Sequence, residues 1–134
     1  MPSKELPSRS ELPAEKTWDL SCVYKSDADW EEDFVKVESF LPPLLALLGK
    51  LGESVSNLVQ CFEIEDTVSR FFEKLYTYAH LKADEDLGNS DYRSMLDRIT
   101  SVRYALAAKF AWIQPEILSI DEETMKAFLD APGI

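Results

Sequence analysis

Histidine is almost missing from this chain, since His80 stands alone among 134 residues. A hydrolytic zinc helix of the H-E-x-x-H type needs two histidines one turn apart, so no such helix lies in this stretch. Glycine is scarce as well, at four residues, and none of the four belongs to a phosphate-cradling loop. Only two cysteines occur, Cys22 and Cys61, and they lack the C-x-x-C spacing that makes a zinc site recognisable. In a chain long enough to build a core without staples, both read as reduced thiols packed as small buried hydrophobes. Basic side chains are outnumbered, 14 against 25 acidic ones, and the resulting net charge of -11 repels phosphate backbones and anionic lipid surfaces. The sequence therefore predicts no nucleic-acid partner. The longest apolar run, Phe40 to Leu48, contains Pro42 and Pro43 and falls far short of the roughly 20 residues needed to cross a bilayer. No membrane partner is expected, and the polar first residues do not read as a secretory signal.

What is present is helical periodicity. Residues 1–16 hold three prolines and balanced charge (Lys4, Arg9 and Lys16 against Glu5, Glu11 and Glu15) without an apolar rhythm, and read as a flexible leader. The whole excess of negative charge thus falls on residues 17–134. Ser26 or Asp27 can cap a helix beginning near Ala28, along which Trp30, Phe34, Val37, Leu41, Leu44 and Leu48 recur at steps of three and four. Pro42-Pro43 predicts a break or kink followed by a restart, and Gly49 a left-handed cap. Ser54 caps a short segment carrying Val55, Leu58, Val59 and Phe62. Asp66 opens a longer helix with Val68, Phe71, Phe72, Leu75 and Ala79, closed by Gly88-Asn89. Ser90 can cap the next element, whose stripe runs Tyr92, Met95, Ile99, Val102, Leu106, Phe110 and Ile113, with Ala105, Ala107 and Ala108 allowing close approach of a neighbour. Pro115 interrupts it. Asp121 then caps a last helix, with Ile120 and Met125 at the spacing of a hydrophobic staple. Strand-like alternation is nearly absent. The expected fold is all-α, an antiparallel bundle of about five to six helices.

Candidate chemistry fails on its own requirements. His80 has Tyr76 and Asp84 four positions either side, and an aspartate there could orient an imidazole. No nucleophile motif accompanies it, so a surface histidine paired with Asp84 is the expected state. Gly52-Glu53-Ser54-Val55-Ser56 lacks the last glycine of a nucleophile elbow and reads as a helix start. From Asp84-Glu85-Asp86 a calcium loop would need glycine where Asn89 stands and glutamate where Met95 stands. The acidic run Asp27, Asp29, Glu31, Glu32 and Asp33 complements the positive end of the first helix. No catalytic, cofactor-binding or metal residue is assigned.

One ordered series of residues nevertheless stands out: Thr17-Trp18-Asp19-Leu20-Ser21, Tyr24, Ser26-Asp27, Trp30, Gly49-Lys50-Leu51, Leu75-Tyr76-Thr77-Tyr78-Ala79, Asp84-Glu85-Asp86, Tyr92 and Pro115-Glu116-Ile117-Leu118. In order and spacing it resembles the N-terminal region of oligoendopeptidase F, a zinc peptidase of the thimet oligopeptidase superfamily, over about residues 17–131. The resemblance implies a cytoplasmic enzyme that cleaves short peptides, with zinc held by two histidines of an H-E-x-x-H helix and a later glutamate. Those residues lie far downstream in that family, so this chain alone is expected to hold no zinc and to be inactive. It reads as a truncated or split product, a wall or lid of a substrate cleft, whose partner is a separate catalytic C-terminal polypeptide. The other reading is a stand-alone helical interaction module. An unrecognised hydrolase would be a third.

Overall fold

The computed structural model describes residues 6–132, and among them there is helix and no strand. Six α-helices follow one another: α1 (Asp27–Lys36), α2 (Leu41–Leu45), α3 (Val55–Glu85), α4 (Ser90–Phe110), α5 (Ile113–Ser119) and α6 (Glu122–Leu129), with three short 3-10 turns at Arg9–Glu11, Ala14–Lys16 and Val37–Phe40. None is long and apolar enough to cross a membrane. Residues 1–5 of the expected leader lie outside the described residues. Its remainder carries the first two 3-10 turns, and Arg9 bonds Glu85 of α3 at 2.7 Å.

Ser26 caps α1 by accepting the Asp29 N–H, which settles the choice between Ser26 and Asp27. The break expected at Pro42-Pro43 falls ahead of the prolines. A proline ring cannot donate to the carbonyl four residues back and clashes with it, so Glu38 and Ser39 cannot sit in an ordinary α-helix leading into residues 42 and 43. The chain answers by tightening to 3-10 geometry over Val37–Phe40 and restarting, so that the prolines occupy the first turn of α2, where their missing N–H groups have no intrahelical role. Leu48, expected on the apolar face, is exposed because that face ends at Leu47. Gly49 adopts φ 79°, the left-handed cap. A Cβ there would meet no atom within 4 Å, so backbone strain alone opposes a side chain. Gly49→Ala should therefore cost about 1 kcal/mol, and denaturant unfolding should show Gly49→Asn costing less.

The second expected break is absent. Val55–Glu85 is one helix of 31 residues, about 46 Å long, with Asp66 in its middle instead of at a start. Nothing between Phe62 and Asp66 interrupts a helix, and Asp66 pairs with Arg70 one turn on, at 2.6 Å. The buried residues Leu58, Cys61, Val68 and Leu75 keep one phase throughout. Asn89, not Ser90, caps α4, its side chain accepting the Asp91 and Tyr92 N–H groups. α4 ends at Phe110, before Pro115, because a helix running through residue 115 would set the proline ring against the Ala111 carbonyl. Asp121 caps α6 as expected, and Ile120 and Met125 pack on the same core.

α3 and α4 form an antiparallel hairpin: Ala83 lies near Leu96, Phe72 near Leu106, and Glu65 near Phe110. The core divides in two. Trp30, Val37, Val68, Leu75, Tyr78 and Ile99 belong to one cluster, built by α1, α3 and α4. Leu44, Leu51, Leu58, Cys61 and Ile113 belong to the other, built by α2, the following turn, α3 and α5. Ile64 of α3 and Phe110 of α4 pack against both. Ala105, Ala107 and Ala108, expected beneath a neighbouring helix, are exposed, since α4 meets the domain along the face that carries Met95, Ile99, Leu106 and, partly buried, Tyr92, Val102 and Phe110. Cys22, expected buried, is exposed; Cys61 is fully buried.

Candidate functional site

The sequence blocks scattered from Trp18 to Leu118 come together as two clasps. The first joins α1 to α3. Trp30 is completely buried and its indole N–H donates to the Leu75 carbonyl at 2.8 Å. The Tyr78 hydroxyl donates to Asp27 at 2.8 Å, and Tyr24 meets the Tyr78 ring edge-on with centroids 5.3 Å apart. Tyr24 donates in turn to Asp33 at 3.0 Å, under the ammonium of Lys74, 4.1 Å from its ring. Burial first, and then a carboxylate acceptor beside each hydroxyl, push both phenols well above the usual tyrosine pKa. Burial also pulls on Asp33, but hydrogen bonds from Lys36 and Tyr24 and the charges of Lys36 and Lys74 outweigh it and leave its carboxyl below the ordinary value. Glu85 extends the clasp to Arg9, which also reaches the Trp18 carbonyl at 3.4 Å.

Across α1, Arg98 of α4 makes a two-pronged bond to Glu31 at 2.6 and 2.8 Å while its guanidinium lies 4.3 Å from the Phe34 ring. The hydrogen bonds from Arg98 lower the Glu31 pKa. Sequence reasoning missed this pair, since 67 positions separate its members and no local pattern links them.

The second clasp uses one carboxylate. Glu116 of α5 accepts the Gly49 and Leu51 N–H groups, both at 2.9 Å, one on each oxygen. The turn after α2 is thereby fixed to α5, and the blocks Gly49-Lys50-Leu51 and Pro115-Glu116-Ile117-Leu118 become one structural unit. Leu51 is fully buried, so its N–H has little access to water once Glu116 is gone. Glu116→Ala should lower stability by about 2 kcal/mol, and Glu116→Gln, which keeps one acceptor, by about half as much in the same unfolding experiment.

The titratable groups singled out in the sequence do not converge. His80 Nδ1 lies 2.9 Å from Asp84 at the surface, as its spacing predicts, with the Tyr76 ring 5.6 Å away. Cys61 is on the same helix 19 residues earlier, about 28 Å along the axis. Burial, with the charges of Glu65 and Glu116, raises the Cys61 thiol to about 11, so no thiolate forms there near neutral pH. Among the described residues no three histidine, cysteine or carboxylate side chains cluster as metal ligands. These donors do not fit a zinc site, and no catalytic step is assigned to them.

Two solved structures share this architecture. A Chlamydophila abortus protein described as a peptidase superimposes with a TM-score of 0.81 at 27% identity over 96% of this chain, and oligoendopeptidase-F from Enterococcus faecium with 0.68 at 29% identity over 78%. The fold is thus that of a helical domain found in peptidases. No family model matches the sequence. Individual relatives do: Oligopeptidase PepF of Bacillus subtilis is 37% identical over 95% of this chain, and the plasmid-borne oligoendopeptidase F of Lactococcus lactis subsp. cremoris 31% over 91%. The chain is a homologue of oligoendopeptidase F, corresponding to the N-terminal region of such peptidases. It spans 19% and 20% of the length of those two relatives.

Proposed function

We propose that this domain forms a wall or lid of the substrate cleft in an oligoendopeptidase F-type zinc peptidase that hydrolyses short peptides in the cytoplasm. The observation that carries the reading is the match to peptidases over nearly the whole chain but only about a fifth of theirs. The zinc and the groups that activate water belong, on this reading, to the remaining four-fifths, on the same or a separate catalytic polypeptide. The part played by this chain is steric and electrostatic. Its helices set a boundary that flexible peptides pass and folded proteins do not, and its excess of carboxylates keeps that boundary negative. A cytoplasmic location suits the exposed Cys22, which stays reduced there.

The test is a chimera in which this chain replaces the matching region of the Bacillus subtilis enzyme. Zinc-dependent cleavage of short peptides, with folded proteins left intact, is the expected result. A folded, zinc-loaded chimera that cleaves nothing, or one that digests folded proteins, would refute the reading.

A further inference from the structure

Between α3, α4 and α5 the surface holds two hollows that meet at Phe110. One, of about 410 Å³, is floored by Val68, Phe72, Leu106 and Phe110. The other, of about 530 Å³, is bounded by Ala107, Phe110, Ile117 and Leu118. Together they make an apolar trough along the seam of an antiparallel helix pair. Its lining carries only Glu65, Glu73 and Arg103 as charged residues, and its floor is aliphatic and aromatic. Leu118 at its edge is 76% exposed, and Ala107 and Ala111 open its α4 side. Small residues there leave room for another backbone to approach, and a groove between two helices is the surface against which a third helix completes a bundle.

Charge narrows the occupant. In the first hollow Glu73 and Arg103 face the same space, so one acid and one base are already present. The second holds Glu65 without a basic residue among its lining. Burial raises the Glu65 pKa, and no salt bridge among the described residues offsets that cost. A half-buried carboxylate of this kind is complemented by a lysine or arginine brought in from outside.

We propose that the α3–α4–α5 trough is the seat of an amphipathic helix from the catalytic part of the peptidase, which places apolar side chains over Phe72, Leu106 and Phe110 and a basic side chain opposite Glu65. The proposal rests on the reading given under Proposed function. What points to this occupant is the extent of the relatives: 78% of the chain in the Chlamydophila abortus structure lies beyond the part matched here, by subtraction of the matched 22%. A second copy of this chain is disfavoured by charge, since each copy would bring a net -11 to an interface that already carries an unpaired carboxylate.

Overlapping 20-residue peptides covering the Bacillus subtilis relative outside its matched region provide the test, probed with the labelled 134-residue chain. The expected result is binding to one or a few neighbouring amphipathic peptides that carry lysine or arginine. Ala107→Arg, which fills the trough from an exposed helical position, and Glu65→Lys should each weaken that binding at least tenfold, with circular dichroism unchanged. Glu38→Lys, on the surface away from the trough, should leave it within twofold. A blank array, or binding that Ala107→Arg leaves intact, overturns the proposal. So does an Ala107→Arg-sensitive dimer of the chain alone in sedimentation, which would make a second copy the occupant. The peptidase chimera separates the two readings, because cleavage by the chimera together with a blank array sinks the trough and leaves the cleft wall standing.

Discussion

Trp30→Ala lowers the unfolding free energy by about 4 kcal/mol, the range found when a buried tryptophan is removed from a core. The indole has no solvent exposure, stacks on Phe34 with centroids 5.0 Å apart, and donates to a carbonyl on α3. Truncation thus leaves a cavity where α1 meets α3 and also frees Arg98 from one of its two aromatic faces. For a domain of this size the loss is a large share of a total of roughly 5–15 kcal/mol, and it should appear as a fall of about 15 °C in Tm. Trp30→Phe separates the contributions, since it keeps most of the ring and removes the N–H donor. A cost of about 1 kcal/mol is expected for that variant. Equal costs for the two variants in urea titrations would show that the hydrogen bond, and not the packing, holds α1 in place.

Alkaline pH should unfold the domain through two phenols. Tyr24 and Tyr78 are buried against Asp33 and Asp27, and each has its pKa raised above the ordinary 10.0. A folded-state pKa above the unfolded one means that the proton is held more tightly in the folded chain. The stabilisation is complete below about pH 10 and is lost as pH rises from there toward the folded-state value, at about 1.4 kcal/mol per pH unit for each tyrosine. Between pH 10 and pH 12 the pair removes on the order of 5 kcal/mol. Absorbance near the phenolate band should show Tyr24 and Tyr78 titrating only with unfolding. The double variant Tyr24→Phe, Tyr78→Phe should be slightly less stable at pH 7 and lose stability less steeply above pH 10. Parallel alkaline limbs for the variant and the unaltered chain would remove the phenols as the cause.

How much of this was legible in the sequence depends on whether the governing interaction is local. Caps at Ser26, Ser54 and Asp121 are local, and the structure has them there. The left-handed turn at Gly49 is equally local. The false break near Asp66 arose because an aspartate serves both as a helix cap and as a partner to a residue one turn ahead. Only the uninterrupted core phase from Leu58 to Leu75 distinguishes the two roles. Pro42 and Pro115 mark interruptions in the sequence, yet each acts four residues upstream, on the carbonyl its ring would strike. The alanines of α4 face solvent in this chain because small residues give close packing only against a neighbour, and the sequence pattern does not say which element that neighbour is. In the functional region, the series from Trp18 to Leu118 was visible as order and spacing. Its physical content, Trp30 to Leu75 and Glu116 to Gly49 and Leu51, is long-range and became visible only in the fold.

The continuity of α3 constrains how any lid built from this domain opens. A hinge needs a point where a few backbone dihedrals change at little cost, and such points lie in loops or at the ends of elements. Inside α3 a bend would have to break main-chain hydrogen bonds and prise open both clusters, because Leu58 and Cys61 are seated in one and Val68 and Leu75 in the other. A lid of this build would move as one stiff body along α3, with its pivots outside that helix.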